Sequence, residues 1–503
     1  VSPKPISLGF TSNPGRAPTA GSALLANCYA EIAGDEQKAK VQVWASDGLE
    51  VLSESSSTDG TRAMIDVDGV VYKVRGRRIY RCEPAAIGAT EIEIGGIASD
   101  APVTMARNRR PVPQIGVCSQ DGQYVVIEAG VTTDYSSAIR SGANSVAFLD
   151  GFFIFTHDDG SVSHTNEDDA TTADPLAFAS AESSPDPAIR GMVKQREFVA
   201  FGTRSVEFFA NAGTDPFAFA RNQAIDLGCG ASAACAQVDQ TIVFVASDLT
   251  VRILNGYQAV RISTHAVERA IAAEPDISTA IAVTWTRDGH TFYCLSGATF
   301  SYVYDLTTQF WHNRESYNDT RWLASCIVES GKELVVGAYN GGTLYRMKRD
   351  VFTEGDNPLI CKIVPPPVHA WPERVKINAL YLDIIPGVGR NVYELPAFDL
   401  YWGSEILAWG SETLTWGQTI YDGLGDYSAY EPEVILRTSL DGGESWSAER
   451  RAKLGQMGDK LRRVVFRRIG ATRQHGITFE ISCSAAVMRG FLGAAVDADK
   501  LAA

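Results

Sequence analysis

The chain has 503 residues, more than one hydrophobic core usually supports, so two or three domains or one large repeat architecture are expected. Its hydrophobic fraction of 45% and charged fraction of 21% are those of a folded protein, and no apolar run reaches the ~18–20 residues of a membrane helix. A net charge of −15 repels phosphate and argues against sequence-specific DNA binding.

The N-terminus, Val1-Ser2-Pro3-Lys4-Pro5, lacks the apolar core of a signal peptide, which points to folding in a cytosol. Residues 1–40 read as an N-terminal arm. From there to about residue 365 one short design recurs: a polar or Gly turn, an apolar run, a second tight turn and another alternating run. Asp68-Gly69 precedes VVYKV, and a weaker unit begins near Asn108. Asp150-Gly151 precedes FFIFTH, Arg196-Glu197 precedes FVAFG, and Asp239-Gln240 precedes TIVFVA. Asp288-Gly289 precedes HTFYCLS and Gly331-Lys332 precedes ELVVGAY. The seven anchors are separated by 40, 42, 46, 43, 49 and 43 residues. Runs of Val, Ile, Phe and Tyr bounded by Gly and Asp are strand and hairpin signals. A lone hairpin is marginal in water, so each unit must stack on its neighbours. Repeats of ~40–50 residues with about four strands each predict a β-propeller of six or seven blades over residues 41–365. An array of β-sandwich domains is the competing arrangement. One helix is expected inside this region, capped by Thr264, with Glu268 near its start and Ala266, Val267, Ala270 and Ile271 as its apolar stripe, packing between blades.

Pro365-Pro366-Pro367 is a stiff connector to a C-terminal β-sandwich-like domain over 366–503, with strands at 379–385, 434–439, 463–469 and 477–482. An insertion at about 386–432 carries Trp402-Gly403, Trp409-Gly410 and Trp416-Gly417, each pair seven residues after the last. Gly weakens a helix here, so an aromatic ribbon is expected. Trp402, Trp409 and Trp416 are candidate interface residues or a cover for the domain's own core. Ser439, Asp441, Gly443 and Trp446 match the Asp-box turn found in sialidase propellers, where it is structural. It occurs once and outside the repeats, so it reads as a turn.

No catalytic residue, cofactor site or metal site is expected. The nine cysteines are scattered without C-x-x-C, and buried inert thiols are expected. The basic stretches Arg75 to Arg81 and Arg462 to Arg468 alternate with apolar residues, as solvated strand faces do. Gly228-Cys229-Gly230-Ala231-Ser232-Ala233 fits the dinucleotide fingerprint, but strand rather than crossover helix follows it. Asp158, Asp159, Glu167, Asp168, Asp169 and Asp174, near His157 and His164, could hold Ca²⁺, yet without EF-hand spacing a solvated propeller loop is the expectation.

Several segments together resemble one family, the packaged-DNA stabilisation proteins of short-tailed bacteriophages, the tail hub or nozzle. They are AFASAESSPDPAIRG at 177–191, VAFGTRSVEFFANAGTDPFAF at 199–219 and AIDLGCGASAACAQVDQTIVFVASD at 224–248. Arg261 to Glu268, Gly289 to Tyr293, YVYDLTTQFWHNRES at 302–316 and VVFRRIG at 464–470 complete the set. The resemblance implies a non-enzymatic virion tail protein assembled in the host cytoplasm, forming a ring, usually of six copies, below the portal and its adaptor. Such a ring continues the DNA channel, with packaged double-stranded DNA passing through its lumen unread, and meets a tail needle or plug and tail fibres or tailspikes. It does not insert into membranes. Six copies at −15 each are compatible with an acidic lumen, which would let DNA slide rather than stick. Two other classes compete: a sialidase-like or tailspike-like hydrolase, which would need several Asp boxes and convergent carboxylates, and a kelch-like interaction scaffold, suggested by Tyr302 to Asp305 followed by Trp311.

Overall fold

The computed structural model describes residues 3–17, 21–34, 39–83, 87–180, 186–370, 373–385, 432–455, 463–472 and 476–501. Seven antiparallel sheets surround an axis, each entered by its first strand. These innermost strands are Thr61–Val67, Val103–Arg107, Ala143–Leu149, Ala188–Lys194, Ala236–Val238, Ile281–Arg287 and Ala324–Ser330. In blades 1 to 6 three further strands follow outward in chain order. Blade 7 has only two of its own, Glu333–Ala338 and Leu344–Lys348. Its fourth strand is Gly48–Ser53, from before blade 1, antiparallel to Leu344–Lys348. The fold is therefore a seven-bladed β-propeller closed by an N-terminal strand. Leu49 faces the core shared with Val283, Phe292 and Trp322, while Leu52 faces Val71, Val335 and Leu344. The closing strand thus binds blade 7 to both of its neighbours.

All seven sequence anchors fall between the first and second strands of successive blades. At Asp68-Gly69, Asp150-Gly151 and Asp288-Gly289 both loop residues have positive φ, the conformation of type I′ hairpin turns. Asp tolerates this region better than most residues and Gly without penalty, which is why these pairs stand there. Blade 2 departs from the pattern: its loop runs from Asn108 to Pro113 before Gln114–Ser119. Neighbouring blades are stitched near the axis by side chains on backbone. Thr104 Oγ1 accepts from the Val146 N–H (2.8 Å), Ser145 Oγ accepts from the Gly191 N–H (2.7 Å) and Ser325 Oγ donates to Thr61 O (2.6 Å).

The helix α1, His265–Ala273, begins where Thr264 Oγ1 accepts from the Val267 N–H. Its buried Val267 and Ile271 pack with Val245 and Val251 of blade 5 and Tyr293 and Trp311 of blade 6.

Two further sheets face each other across a separate core that includes Ile377, Leu380, Leu436, Phe466, Phe479, Ile481 and Phe491. This is the C-terminal β-sandwich, and much of it is not C-terminal. One sheet runs Cys28–Ile32, Val41–Ala45, Gly490–Lys500, Val375–Ile384, Val464–Ala471, with Lys4–Ile6 also paired to Gly490–Lys500. The other runs Leu24–Ala26, Cys361–Val364, Thr478–Cys483, Glu433–Ser439, Arg450–Lys453. The stretch expected as an arm over 1–40 thus supplies three strands and continues to a fourth, Val41–Ala45. The boundaries drawn at 40 and 365 differ from sheet membership, because Val41–Ala45 and Cys361–Val364 both pair within the sandwich. Leu24–Ala26 also reaches blade 6 through a parallel bridge, Ala26 to Asn313.

Candidate functional site

The propeller and sandwich meet at a buried polar junction, built around the chain turn at Asn27. This residue is 3% exposed and has φ +55°, the left-handed region that Asn tolerates. Its N–H donates to Asn313 O (2.9 Å) and its Nδ2 to Ile360 O (3.0 Å), while its Oδ1 accepts from the Glu315 N–H (2.9 Å). One side chain therefore ties the arm to blade 6 and to the strand leaving the propeller.

Beside it Arg314 Nη2 donates to Asp47 O (2.7 Å) and meets Glu354 Oε1 at 3.3 Å. Trp322 Nε1 donates to the same oxygen (3.0 Å), and Arg287 Nε lies 2.9 Å from Asp47 Oδ2. Burial drives the Glu354 and Asp47 carboxyls up and the Arg314 guanidinium down; their opposite charges resist it. Such a buried pair fixes a mutual orientation more than it adds net stability. Around it His290 Nδ1 binds Asp305 Oδ2 (2.7 Å) and stacks on Phe292, with Tyr29 of the arm against both rings. The hydrogen bond to Asp305 raises the His290 pKa. His312, close by, is pushed down to about 3 by burial and stays neutral. Sequence reasoning missed this junction. Its only visible signal was the alternation in VQVWA and GLEVLS before the first Asp-Gly turn.

Around Asp441, Ser439 Oγ donates to Oδ1 (2.6 Å) and accepts from the Gly443 N–H (2.8 Å). The Ser445 N–H donates to Oδ1 (3.0 Å) and its hydroxyl to Oδ2. The bonds from Ser439 and Ser445 hold the carboxyl well below the usual carboxylate range. The Trp446 ring lies 5.7 Å from the Arg437 guanidinium. Trp402, Trp409 and Trp416 lie outside the described residues.

The acidic group of blade 3 is engaged in turns. Asp159 accepts from the Ser161 N–H (2.9 Å) and Arg140 (2.8 Å), and Asp169 from Thr171 and Thr172. The arginines of the 75–81 stretch are paired as well: Arg75 with Glu91, Arg77 with Asp100, Arg78 with Glu93 and Arg81 with Glu83. Residues 228–233 lead into a short 3₁₀ turn, Ser232–Ala234, and then the first strand of blade 5, so no strand–turn–helix exists there. Eight of the nine unbridged thiols are buried and Cys326 is partly so.

Against known families, residues 22–352 match the model of the bacteriophage P22 Gp10 β-propeller and residues 417–499 that of the P22 Gp10 β-sandwich. The chain belongs to the P22 Gp10 family of packaged-DNA stabilisation proteins. It is a bacteriophage virion structural protein. The family's propeller match begins at residue 22, ahead of the closing strand Gly48–Ser53, and so takes in arm strands that pair within the sandwich. No curated protein matches the chain. Among solved structures it is similar to the WD40 β-propeller domain of Doa1, with TM-score 0.42 and 10% identity over 60% of this chain and 98% of that one. The computationally designed Ika8 protein matches with TM-score 0.38 and 14% identity over 68% of this chain and all of that one.

Proposed function

We propose that this Gp10-family chain is a tail hub or nozzle subunit that forms a ring, of six copies, below the portal and its adaptor. The ring continues the DNA channel, helps retain packaged DNA, and offers its outer faces to the tail needle or plug and to fibres or tailspikes. It is assembled in the host cytoplasm and carries no active site.

The observation that carries this reading is the fusion of propeller and sandwich through shared arm strands and the Asn27–Arg314–Glu354 junction. A ring under internal DNA pressure needs subunits whose two parts do not hinge, and heterologous ring contacts need two distinct faces per subunit. The Asp441 box serves as a hairpin cap in this scheme, and the ribbon with Trp402, Trp409 and Trp416 as an intersubunit contact. Deleting the gene from a producing phage tests the reading. Filled heads should then lose their DNA; heads that keep it would refute the retaining role.

A further inference from the structure

On the propeller face formed by the segments that lead into the blades, the axis opens into a cavity of about 800 Å³. Its wall is drawn from blades 1, 2, 4, 5, 6 and 7 and includes Arg62, Ile189, Cys229, Arg321 and Ser325. The charges along this wall differ sharply in how they are satisfied. Arg62 donates to Gly76 O and Ser99 O, and Asp100 at the rim is held by Arg77 at 2.6 Å. Arg321 lies 3.9 Å over the Tyr339 ring with its buried Nε lacking a hydrogen-bond partner.

Arg190 has less. It follows Ile189 on the innermost strand of blade 4, and its Nε is buried without a hydrogen-bond partner. Among the described residues no carboxylate or carbonyl meets its guanidinium. Its electrostatic neighbours are the thiols of Cys118 in blade 2, Cys229 and Cys235 in blade 5 and Cys326 in blade 7, which lie around the axis. Burial pushes the thiols of Cys118, Cys235 and Cys326 up, the last to about 12, so none supplies a counter-charge near neutral pH. Arg190 as a whole is half-buried, and Ile189 beside it and its electrostatic neighbour Cys229 line the cavity wall. A buried cation without a partner is costly, and a guanidinium fork matches two oxygens of one oxyanion.

We propose that the axial channel is an oxyanion site, in which the Arg190 guanidinium holds a phosphate group that enters through the wide cavity. The cavity is large enough for either inorganic phosphate or a nucleotide.

Calorimetric titration of the full chain at matched ionic strength tests this, with inorganic phosphate, a nucleoside monophosphate and chloride as separate arms. Saturable one-site binding is expected for phosphate and not for chloride, weakened at least tenfold by Arg190→Gln and less by Arg190→Lys. Arg77→Gln, at the rim, should bind as the parent does. Phosphate should also raise the melting temperature of the parent and not that of Arg190→Gln. Tighter binding of the nucleotide than of phosphate would make the nucleotide the occupant, and equal affinities the bare ion. Binding unchanged in Arg190→Gln, an equal response to chloride, or no saturable binding of either phosphate would overturn the proposal. If Arg190→Gln does not fold, full phosphate affinity in Arg190→Lys together with an equal response to chloride would overturn it.

Discussion

Asp305 is 1% exposed and accepts from His290 (2.7 Å), the Thr307 N–H (2.9 Å) and Thr308 Oγ1 (2.7 Å). Burial works against its carboxylate, yet those bonds hold its pKa below the ordinary value, while His290 is held above. The His290 contribution is complete below its unfolded pKa of about 6.5 and is lost as pH rises through the higher folded value. The Asp305 contribution is complete above about 3.9 and is lost as pH falls through its lower folded value. Asp305→Asn should therefore lower stability by about 3 kcal/mol between pH 4 and 6.5. The gap should narrow toward pH 9 without closing, since the Thr307 and Thr308 bonds are cut at every pH; melting curves across pH measure it. His312 acts in the opposite sense, because burial keeps it neutral, and burial pulls His157 and His164 in the same direction. As pH falls below about 6.5 the unfolded chain takes up protons that the folded chain refuses, at about 1.4 kcal/mol per pH unit per group. His312→Gln should flatten the acid loss of stability by one such group, read from denaturant midpoints at pH 7 and 5. Asn27→Ala removes two junction hydrogen bonds and places Ala at positive φ, for a loss of about 3 kcal/mol by equilibrium unfolding.

Between single side chains and the whole fold, the closing strand Gly48–Ser53 is the element on which the propeller depends. Leu49 is fully buried between blades 6 and 7. Leu49→Ala should cost about 2–5 kcal/mol and expose blade 7 to proteolysis first, seen by mapping early cleavage sites. This scale also shows what a sequence carries openly and what it hides. Three of the seven inter-strand turns were legible because positive φ at two adjacent positions selects Asp-Gly, the others because polar or Gly residues interrupt apolar runs at a near-constant interval, and the helix because Thr264, Glu268 and its apolar stripe are local signals. The arm strands were not. Lys4–Ile6 finds its partner at Ala494 to Val496, and pairing across nearly the whole chain leaves no periodicity to detect. The blade 2 unit was weak for a related reason: its six-residue loop dispenses with the Asp-Gly pair. The Arg190 and Asn27 environments were likewise invisible, since each is assembled from blades or strands far apart in the chain.

For the whole molecule, native mass measurement should find an integer multiple of 54.3 kDa, six copies for the proposed ring. A monomer at virion-like local concentration would contradict the ring. Removing residues 1–45 strips strands from both sandwich sheets and leaves Gly490–Lys500 with an open edge. That variant should aggregate while its blades keep their β signal by circular dichroism.

The arm's double allegiance also governs how the molecule answers force. A load applied to the sandwich reaches the propeller through Leu24–Ala26 and the short connection from Val41–Ala45 into the closing strand. Neither half can be peeled away without first unzipping the clasp of the other, so the two should rupture together in a single mechanical event.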